Sequence, residues 1–498
     1  MGAYEGAGIT VLGRGIRLPP GSTDFWGAGN EGIFPAGYSY LSTSTADCAS
    51  STTRTDGFDY GTSNFLCNPS RIDGLSVINS SQGGGAIFAH AWNHNLEVAN
   101  TRVWGNHGTL TGGITIGQGE FPDPFIVGDA NNPPVANQPA GGLIDGQQAG
   151  YGFNRGVKVH HNSVTDNASI GDALYSGTPS AAGGVSFSAG ADNYQFNHNW
   201  VCGNLSTGDG GGVAHVGYIN DGNISNNFIL YNQSSDATLP TNGGGLVIIG
   251  GAPDRQTTLP DGTVVECGTT TDVDCPPGLS AGTGRNLVID SNLLIGNSAE
   301  SGSGGGIRFQ GVNGQEVIAF PLRPDLWHGV TVTNNIIANN VAGWDGGGMS
   351  MQDALRVNFI NNTVVSNDTT ASAGVLFKTI GSAFASSPPP GCNPGSDSTA
   401  SCYGPNAPVN DQPAGLVTMQ HSPNLIAELP PPGPLSQGMG VNCPVISTLL
   451  GGTYSAVHDG DCRTYSKPLM VNNLLWQNRA FHISVQDPVR ACSRSRTW

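Results

Sequence analysis

The sequence predicts an all-β chain wound into a right-handed parallel β-helix, a solenoid of about nine to eleven coils with long loop insertions. Three observations predict it: a unit that recurs nine times, a minimum unit length of 27–28 residues, and short apolar runs of period two within each unit. The clearest units read VIDSNLLIGNSAESGSGGGIRF, VTVTNNIIANNVAGWDGGGMSM and YQFNHNWVCGNLSTGDGGGVAH. Three short strands without a helical period fit one coil of such a helix.

Pairs of asparagines, five residues apart, mark the units. Seven units keep both members: Asn162 and Asn167, Asn199 and Asn204, Asn227 and Asn232, Asn292 and Asn297, Asn335 and Asn340, Asn362 and Asn367, Asn473 and Asn478. Two earlier units keep only the second member, Asn79 and Asn106. We expect each side-chain amide to bond the equivalent amides in the coils above and below, which satisfies polar groups where the backbone leaves a sheet.

Two or three glycines precede an alternating strand in each unit, where they permit positive φ and close approach of the backbone. The first and third positions of this strand are apolar and predicted to point inward: Ile114 and Ile116, Val185 and Phe187, Leu246 and Ile248, Ile307 and Phe309, Met349 and Met351, Val375 and Phe377. The second and fourth positions are predicted to point outward, as at Ser186 and Ser188.

Units longer than the minimum carry insertions, and these divide the chain. We assign residues 1–71 to an N-terminal cap with the first coil or coils, and 72–378 to the β-helix, with insertions at 121–150 and 250–285. Residues 379–465 form a Pro/Gly-rich insertion that retains a degenerate coil near 413–420, and 466–498 form the final coil and tail.

The strand between the two asparagines is unusual because its outward positions are apolar. They include Trp104, Trp200, Phe228, Leu230, Leu293, Ile295, Ile336, Leu474 and Trp476. An exposed apolar patch of that size is rare on a monomer. We therefore expect this face to be covered, either by the chain's own insertions or by a partner domain or subunit.

Composition limits the partners. The net charge is −17, charged residues make up only 11% of the 498, and the three lysines are Lys158, Lys378 and Lys467. Without a basic patch the chain has nothing to release counterions from nucleic acid or to bind anionic membrane surfaces. No apolar run is long enough to span a bilayer. Neutral polymers and calcium remain compatible with this charge.

Ten cysteines favour an oxidising compartment. Eight fall in close pairs within irregular segments: Cys48 and Cys67, Cys267 and Cys275, Cys392 and Cys402, Cys443 and Cys462. Local disulfides are the simplest interpretation, and they imply a secreted, periplasmic or cell-surface protein. Cys202 and Cys492 are either free thiols or a long-range pair.

The repeat, from about Ile72 to Phe481, resembles that of the right-handed parallel β-helix proteins, the pectin-lyase-like superfamily. The resemblance implies the fold and allows polysaccharide lyase or glycoside hydrolase activity. Asn106–Gly108 is faintly similar to the histidine-bearing turn of the hydrolases, but the Asn-Thr-Asp, Asp-Asp and Arg-Ile-Lys elements that accompany it are missing. Because one fold hosts many sites, we expect a structural or glycan-binding protein, with a lyase or hydrolase as the alternative.

The best candidate surface is the outward side of the strands after the glycines in later units. Catalytic candidates there are Arg308, Glu316, Asp353 and Arg356, and ligand-binding candidates are Gln310, Ser350, Gln352, Trp327 and Trp344. The tryptophans, and His328 beside Trp327, are placed to stack on sugar rings. A solvated face with an Arg–Asp pair is the alternative interpretation of the same residues.

Other polar residues fit structural roles better. Asp209 and Asp345 precede the glycines in equivalent positions three coils apart, about 14 Å, which is too far for a carboxylate pair. We expect Asx-type caps on the glycine amides, with calcium binding as the weaker possibility. His215 is expected to be buried and hydrogen-bonded. His160, His161 and His198 lack a carboxylate or thiolate that would complete a metal site.

Overall fold

A computed structural model describes residues 7–12, 70–117, 154–171, 181–251, 278–372, 412–429 and 464–481 with short internal gaps, and two strand pairs outside them. Four parallel sheets run along one axis, and each coil contributes one strand to each sheet in turn. This is the predicted right-handed parallel β-helix. We number the sheets 1 to 4 in the order in which the chain enters them after the glycines.

Sheets 1 and 2 each have nine strands. Sheet 1 contains Ile9–Leu12, Ile87–Ala91, Ile114–Ile116, Val185–Ser188, Val213–Val216, Leu246–Ile249, Ile307–Gln310, Met349–Gln352 and Leu416–Thr418. Sheet 2 contains Arg71–Asp73, Glu97–Ala99, Lys158–His160, Gln195–Asn197, Asn223–Ser225, Leu287–Asp290, Val330–Thr333, Val357–Ile360 and Leu469–Val471.

Sheet 3 also has nine strands, and sheet 4 has eight. Sheet 3 contains Ser76–Ile78, Arg102–Trp104, Ser163–Thr165, Trp200–Cys202, Phe228–Leu230, Leu293–Ile295, Ile336–Ala338, Thr363–Val365 and Leu474–Trp476. Sheet 4 contains His107–Gly108, Ala168–Ser169, Leu205–Ser206, Gln233–Ser234, Ser298–Ala299, Val341–Ala342, Asp368–Thr369 and Arg479–Ala480.

Few other elements occur in the described residues. Two antiparallel pairs join Ile16–Arg17 to Ser39–Tyr40 and Thr257–Thr258 to Val264–Val265. Short helices span Gln315–Ala319 and Pro423–Glu428, and a 3₁₀ turn spans Pro324–Leu326. Ser422 begins the second helix, because its hydroxyl accepts a hydrogen bond from the Leu425 amide. These elements add a small apolar cluster of Val317, Phe320, Trp327, Leu355, Leu425 and Leu429 on the outside of the coils.

The alternation within the strands sets the core. In sheet 1, Ile307 pairs with Met349 and Phe309 with Met351, so like positions stack from coil to coil. The predicted inward residues that the structure describes, from Ile114 to Met351, are fully buried. Val375 and Phe377 lie outside the described residues. The ninth strand of sheet 1 is Leu416–Thr418, which lies within residues 413–420 and pairs with Met349–Met351.

Two asparagine ladders run parallel to the axis of the helix, one just before and one just after the strands of sheet 3. In one, the backbone amide and the Nδ2 of Asn204 both donate to Oδ1 of Asn232, at 3.0 and 2.9 Å. The same Nδ2 donates to the carbonyl of Val164 at 3.0 Å. This pattern repeats down to Asn478 in one ladder and down to Asn473 in the other. The predicted ladders are therefore confirmed.

The first coil differs from the predicted register. Ser76 pairs with Arg102, so the position opposite Asn106 is Ser80, not Asn79. Ser80 donates its backbone amide to Oδ1 of Asn106 at 3.1 Å. Asn79 instead adopts a φ of 60°. The sequence assignment of Asn79 to the ladder was one residue out of register, because Asn tolerates positive φ and also serves as a turn residue.

The glycines stand at the corner between sheets 4 and 1. A Cβ added at Gly211 would lie 2.4 Å from the Gly244 carbonyl oxygen and from the Gln233 carbonyl carbon. One coil further on, a Cβ at Gly244 would lie 2.3 Å from the backbone of Ser298. Neighbouring coils approach too closely at this corner for any side chain, which explains the glycine runs.

Several apolar side chains on the outer face of sheet 3 are exposed, although Leu230 is only 8% exposed. The insertions that were expected to cover this face lie largely outside the described residues, so that expectation stays a prediction. Trp104, Trp200, Phe228 and Ile336 are 44–48% exposed. Trp200 and Phe228 lie on successive coils with ring centroids 5.3 Å apart.

We expect Asn232→Ala to lower the free energy of unfolding by roughly 2–5 kcal/mol. The substitution removes the partner of the buried backbone N–H of Asn204 and of the Val201 carbonyl. Each buried polar group left unpaired destabilises the fold by about 1–3 kcal/mol. Asn478→Ala, at the exposed end of the same ladder, is the matched control with a smaller expected loss. Denaturant titrations of both variants check this, and equal losses would contradict it.

Candidate functional site

The predicted site on the outside of sheet 1 is buried. Ser186, Ser188 and Ser350 are fully buried and Arg308 is 3% exposed, although all four point away from the interior of the coils. Further towards the N-terminus, Ala182, Ala214 and Val247 form an apolar cluster on the same outer face. The solvated face that was the alternative interpretation of these residues is therefore wrong.

The structure does bring Arg308, Ser350 and Gln352 together. Nη1 of Arg308 donates to Oγ of Ser350 at 2.7 Å and to Sδ of Met419 at 2.9 Å. Nη2 donates to Oε1 of Gln352 at 2.9 Å. Burial lowers the pKa of Arg308, while the charges of Asp345, Asp209 and Asp353 raise it. The guanidinium is thus held by neutral groups and compensated by carboxylates at longer range.

Asp345 is buried and joins this network through Ser350, whereas Asp209 is half-buried and bonds to a different coil. Oδ1 of Asp209 accepts from the backbone amide and Nδ2 of Asn242 in the next coil, at 2.7 and 3.1 Å. Oδ1 of Asp345 accepts from Oγ of Ser350 at 2.8 Å. The amide of Gly210 donates to the Asn242 carbonyl. The predicted cap of Asp209 on its own glycine amides is therefore wrong, because neighbouring coils supply those partners.

Glu316, Asp353 and Arg356 make separate contacts near the short helices. Glu316 is fully buried and accepts from Nδ2 of Asn313 at 2.6 Å and from the Gly314 amide at 2.8 Å. Asp353 accepts from the Ser422 amide at 2.7 Å. Nη1 of Arg356 donates to the carbonyl of Trp327 at 2.6 Å. These three side chains hold loops in place.

The two candidate tryptophans do not present a face to solvent. Trp327 is 1% exposed, and its Nε1 donates to the Phe320 carbonyl at 2.8 Å. Trp344 is 4% exposed. His328 is also buried, and its ring lies edge-on to Tyr218 with centroids 5.3 Å apart. Stacking on a sugar ring, the role expected for these residues, does not fit this burial.

An open polar surface lies instead on the outside of sheet 2. A groove of about 490 Å³ crosses three successive coils there. Its lining includes Gln195 and Asn197 from one coil, Asn223 and Ser225 from the next, and Val288 from the third. Gln195 is exposed and the others are half-buried. The middle of sheet 2 therefore presents amides and hydroxyls to solvent in regular register.

Hydrogen bonds order the groove. Oγ of Ser225 donates to Oδ1 of Asn223 at 2.7 Å. At the rim, Nδ2 of Asn286 donates to Oδ1 of Asp221 at 2.9 Å. Asp221 is the one acid in the lining, which contains no lysine or arginine. The groove thus offers paired donors and acceptors with little charge.

Sequence reasoning missed this groove. Its residues occupy the outward positions of the strand before the first asparagine, where polar side chains are expected on any solvated strand. The only signal in the sequence was that amides recur in two adjacent units, at Gln195, Asn197 and Asn223. That signal does not separate a groove from a flat wall.

Histidines lie at the edge of the groove, and His198 is part of its lining. His161 and His198 stack on successive coils with centroids 5.0 Å apart, and His160 contacts Oε1 of Glu97 through Nε2 at 2.7 Å. Glu97 also pairs with Arg71 at 3.0 Å. Among the residues that the structure describes, no group of three or more His, Cys, Asp or Glu side chains is arranged to hold a metal ion.

His215 is buried and hydrogen-bonded, as predicted. Its Nδ1 lies 2.9 Å from the Tyr194 hydroxyl and its Nε2 lies 2.9 Å from the Thr283 carbonyl. Burial lowers the pKa of His215 to about 4, against the bond to Thr283, which raises it. The imidazole is therefore neutral near neutral pH and acts as part of the core.

The remaining expectations concern cysteines and the membrane. Cys202 is a free thiol on sheet 3, and burial and the charge of Asp166 raise its pKa. The four predicted cysteine pairs and Cys492 lie outside the described residues, as do residues 121–150 and most of 250–285 and 379–465. Within the described part of the chain, no helix has the length and apolar character needed to cross a membrane.

The fold and the groove define a parallel β-helix repeat protein with one polar and one apolar outer face. No protein-family model, no curated protein and no solved structure matches this chain.

We expect Arg308→Met to lower the free energy of unfolding by about 3 kcal/mol near neutral pH, since it leaves buried carboxylates uncompensated. Burial already raises the pKa of Asp209, while the Asn242 bonds and Arg308 lower it. A carboxyl group whose pKa is raised on folding makes the folded state less stable at pH values above the ordinary pKa of the group. Protonation of the carboxylate at lower pH removes this destabilisation. Losing Arg308 raises this pKa further, so the defect should shrink towards about pH 4.

Denaturant midpoints at the two pH values check this. Arg102→Met, which removes an exposed arginine from sheet 3, is the matched control and should change little at either pH. A defect in Arg308→Met that is independent of pH would show that the carboxylates do not respond to its charge.

Proposed function

We propose that the protein is a secreted, periplasmic or cell-surface glycan-binding protein, and that the groove on sheet 2 is its binding surface. The observation that carries the proposal is an open, polar groove whose amides and hydroxyls come from successive coils in fixed register. Sugar hydroxyls both donate and accept hydrogen bonds, and primary amides match them because each has both capacities. A rigid sheet holds these groups in position before the ligand arrives.

Charge favours a neutral glycan over an acidic one. The chain carries a net charge of −17, and the groove lining has an aspartate but no lysine or arginine to pair with a uronate. Like charges lower both the association rate and the affinity of an acidic polymer. The groove spans about 10 Å between its outer strands, which suits a short stretch of a longer chain.

Two sequence features support the proposed location and the glycan ligand. The repeat resembles that of the pectin-lyase-like superfamily, many of whose members act on extracellular polysaccharides. The cysteines in close pairs favour an oxidising compartment, where glycans are the abundant polymers. Calcium is a possible cofactor in view of the acidic charge. The catalytic alternative has less support, because three of its four charged candidates, Arg308, Glu316 and Asp353, are buried.

The test is binding to a panel of neutral and acidic polysaccharides, by affinity electrophoresis and then calorimetry. We expect the double variant Gln195→Ala with Asn223→Ala to lose about tenfold in affinity, since each lost hydrogen bond contributes roughly 0.5–1.5 kcal/mol. Asn358→Ala is the matched control. It occupies the same outward column as Asn223, three coils further on and outside the groove.

Each outcome discriminates. Loss in the double variant with full binding by Asn358→Ala supports the groove. Equal binding by all three proteins places any glycan site elsewhere. Release of reducing ends or of unsaturated products from the panel would replace the binding role with the lyase or hydrolase alternative. Failure to bind any member of a broad panel would overturn the proposal.

A further inference from the structure

The C-terminal end of the β-helix is open and apolar. The last strands of sheets 2, 3 and 4 are Leu469–Val471, Leu474–Trp476 and Arg479–Ala480. Met470 and Leu475 occupy inward positions opposite Phe359 and Val364, which are fully buried one coil earlier. Yet Met470 is 42% exposed and Leu475 is 43% exposed. The core of the solenoid therefore reaches the surface at this end.

Apolar exposure is concentrated in this last coil. Six of its large apolar side chains are 42–60% exposed: Tyr465, Met470, Leu474, Leu475, Trp476 and Phe481. Taking about 150–250 Å² for each buried side chain, their exposed parts sum to roughly 500 Å². With the open backbone edges, this approaches the ~800 Å² per partner of a standard interface.

The opposite end is built differently. The inward residue of sheet 3 there, Val77, is 8% exposed, and Ile72 of sheet 2 is half-buried. Two large apolar side chains of this coil, Leu75 and Ile78, are 46% and 43% exposed, against six in the last coil. The first strand of sheet 2 also carries Arg71 and Asp73, which pair at 3.2 Å. Charged side chains on an edge strand discourage pairing with another chain. At the C-terminal end the one charged edge residue is Arg479, which pairs with Asp368 at 2.7 Å within the same chain.

The charge distribution also singles out this end. The whole chain carries a net charge of −17, so two copies repel each other over most of their surface. The stretch from Thr464 to Phe481 contains Lys467 and Arg479 but no aspartate or glutamate. Like-charge repulsion between copies is therefore weakest where the apolar surface is largest.

We propose that two copies of this chain associate end to end through their C-terminal coils. Since the inward residues Met470 and Leu475 are exposed at this end, whereas Val77 is buried in the first coil, joining like ends buries the larger apolar surface in both copies at once. A two-fold contact of this kind closes into a dimer, whereas a head-to-tail contact would join unlike ends and grow into a filament. The product is a rod about twice the ~43 Å length of nine coils, with both sheet 2 grooves left exposed.

The test is sedimentation equilibrium and small-angle scattering on the full chain. We expect a dimer whose maximum dimension is about twice that of the monomer. Trp476→Lys and Leu475→Lys should each raise the dissociation constant at least about tenfold. Trp476→Lys leaves the inward packing of the last coil intact, so loss of the dimer there does not require unfolding, and circular dichroism confirms the fold of each variant.

Trp104→Lys is the matched control. Trp104 occupies the same position on sheet 3 as Trp476, seven coils away, and is 48% exposed. A dimer retained by Trp104→Lys and lost by the two C-terminal variants supports the end-to-end contact. Equal loss in all three variants would indicate side-by-side pairing through sheet 3 and overturn it. A wild-type chain that stays monomeric at high concentration would also overturn the end-to-end contact. This holds whatever else occupies the end, be it residues 482–498 or another protein.

Discussion

Buried side-chain amides must find partners, and in this molecule the partners are supplied by the neighbouring coils. An interior amide such as that of Asn232 accepts from the coil before it and donates to the coil after it and to a strand carbonyl. An unpaired buried donor or acceptor would cost more than a formed bond contributes. Each asparagine therefore requires the next one in register, and this requirement keeps the coils aligned whether a unit has the minimum 27–28 residues or carries an insertion.

Once the ladders fix the coils, variation is confined to the outward positions and the insertions, and the three large faces diverge. Sheet 1 is covered and encloses Arg308. Sheet 2 carries the amide-lined groove. Sheet 3 presents Trp200 and Phe228 to solvent. One repeat thus produces a buried polar network, an open polar groove and an exposed apolar stripe. The outward side chains can differ in this way because they take no part in the stacking between coils, which is what requires the repeat.

The candidate site shows how far residue types predict chemistry. Arg308, Ser350 and Gln352 were expected to lie together on adjacent coils, and they do, because register follows from the repeat. Their burial was not predictable, because it depends on contacts with residues far away in sequence, such as Met419, which is 111 residues from Arg308. The groove at Asn223 was missed for the complementary reason: polar outward residues look alike whether the surface is concave or flat.

The sequence alone determined the architecture, the direction of the strand side chains and the two ladders, since these follow from periodic apolar positions and from the hydrogen-bonding capacity of a recurring amide. It also established that the strand of Trp200 is apolar on its outside. Only the tertiary structure decided which faces are covered. Cover depends on contacts between segments that are distant in sequence, and such contacts leave no periodic trace in the sequence. For the same reason the open C-terminal end, with Leu475 exposed although its equivalents are buried, became visible only in three dimensions.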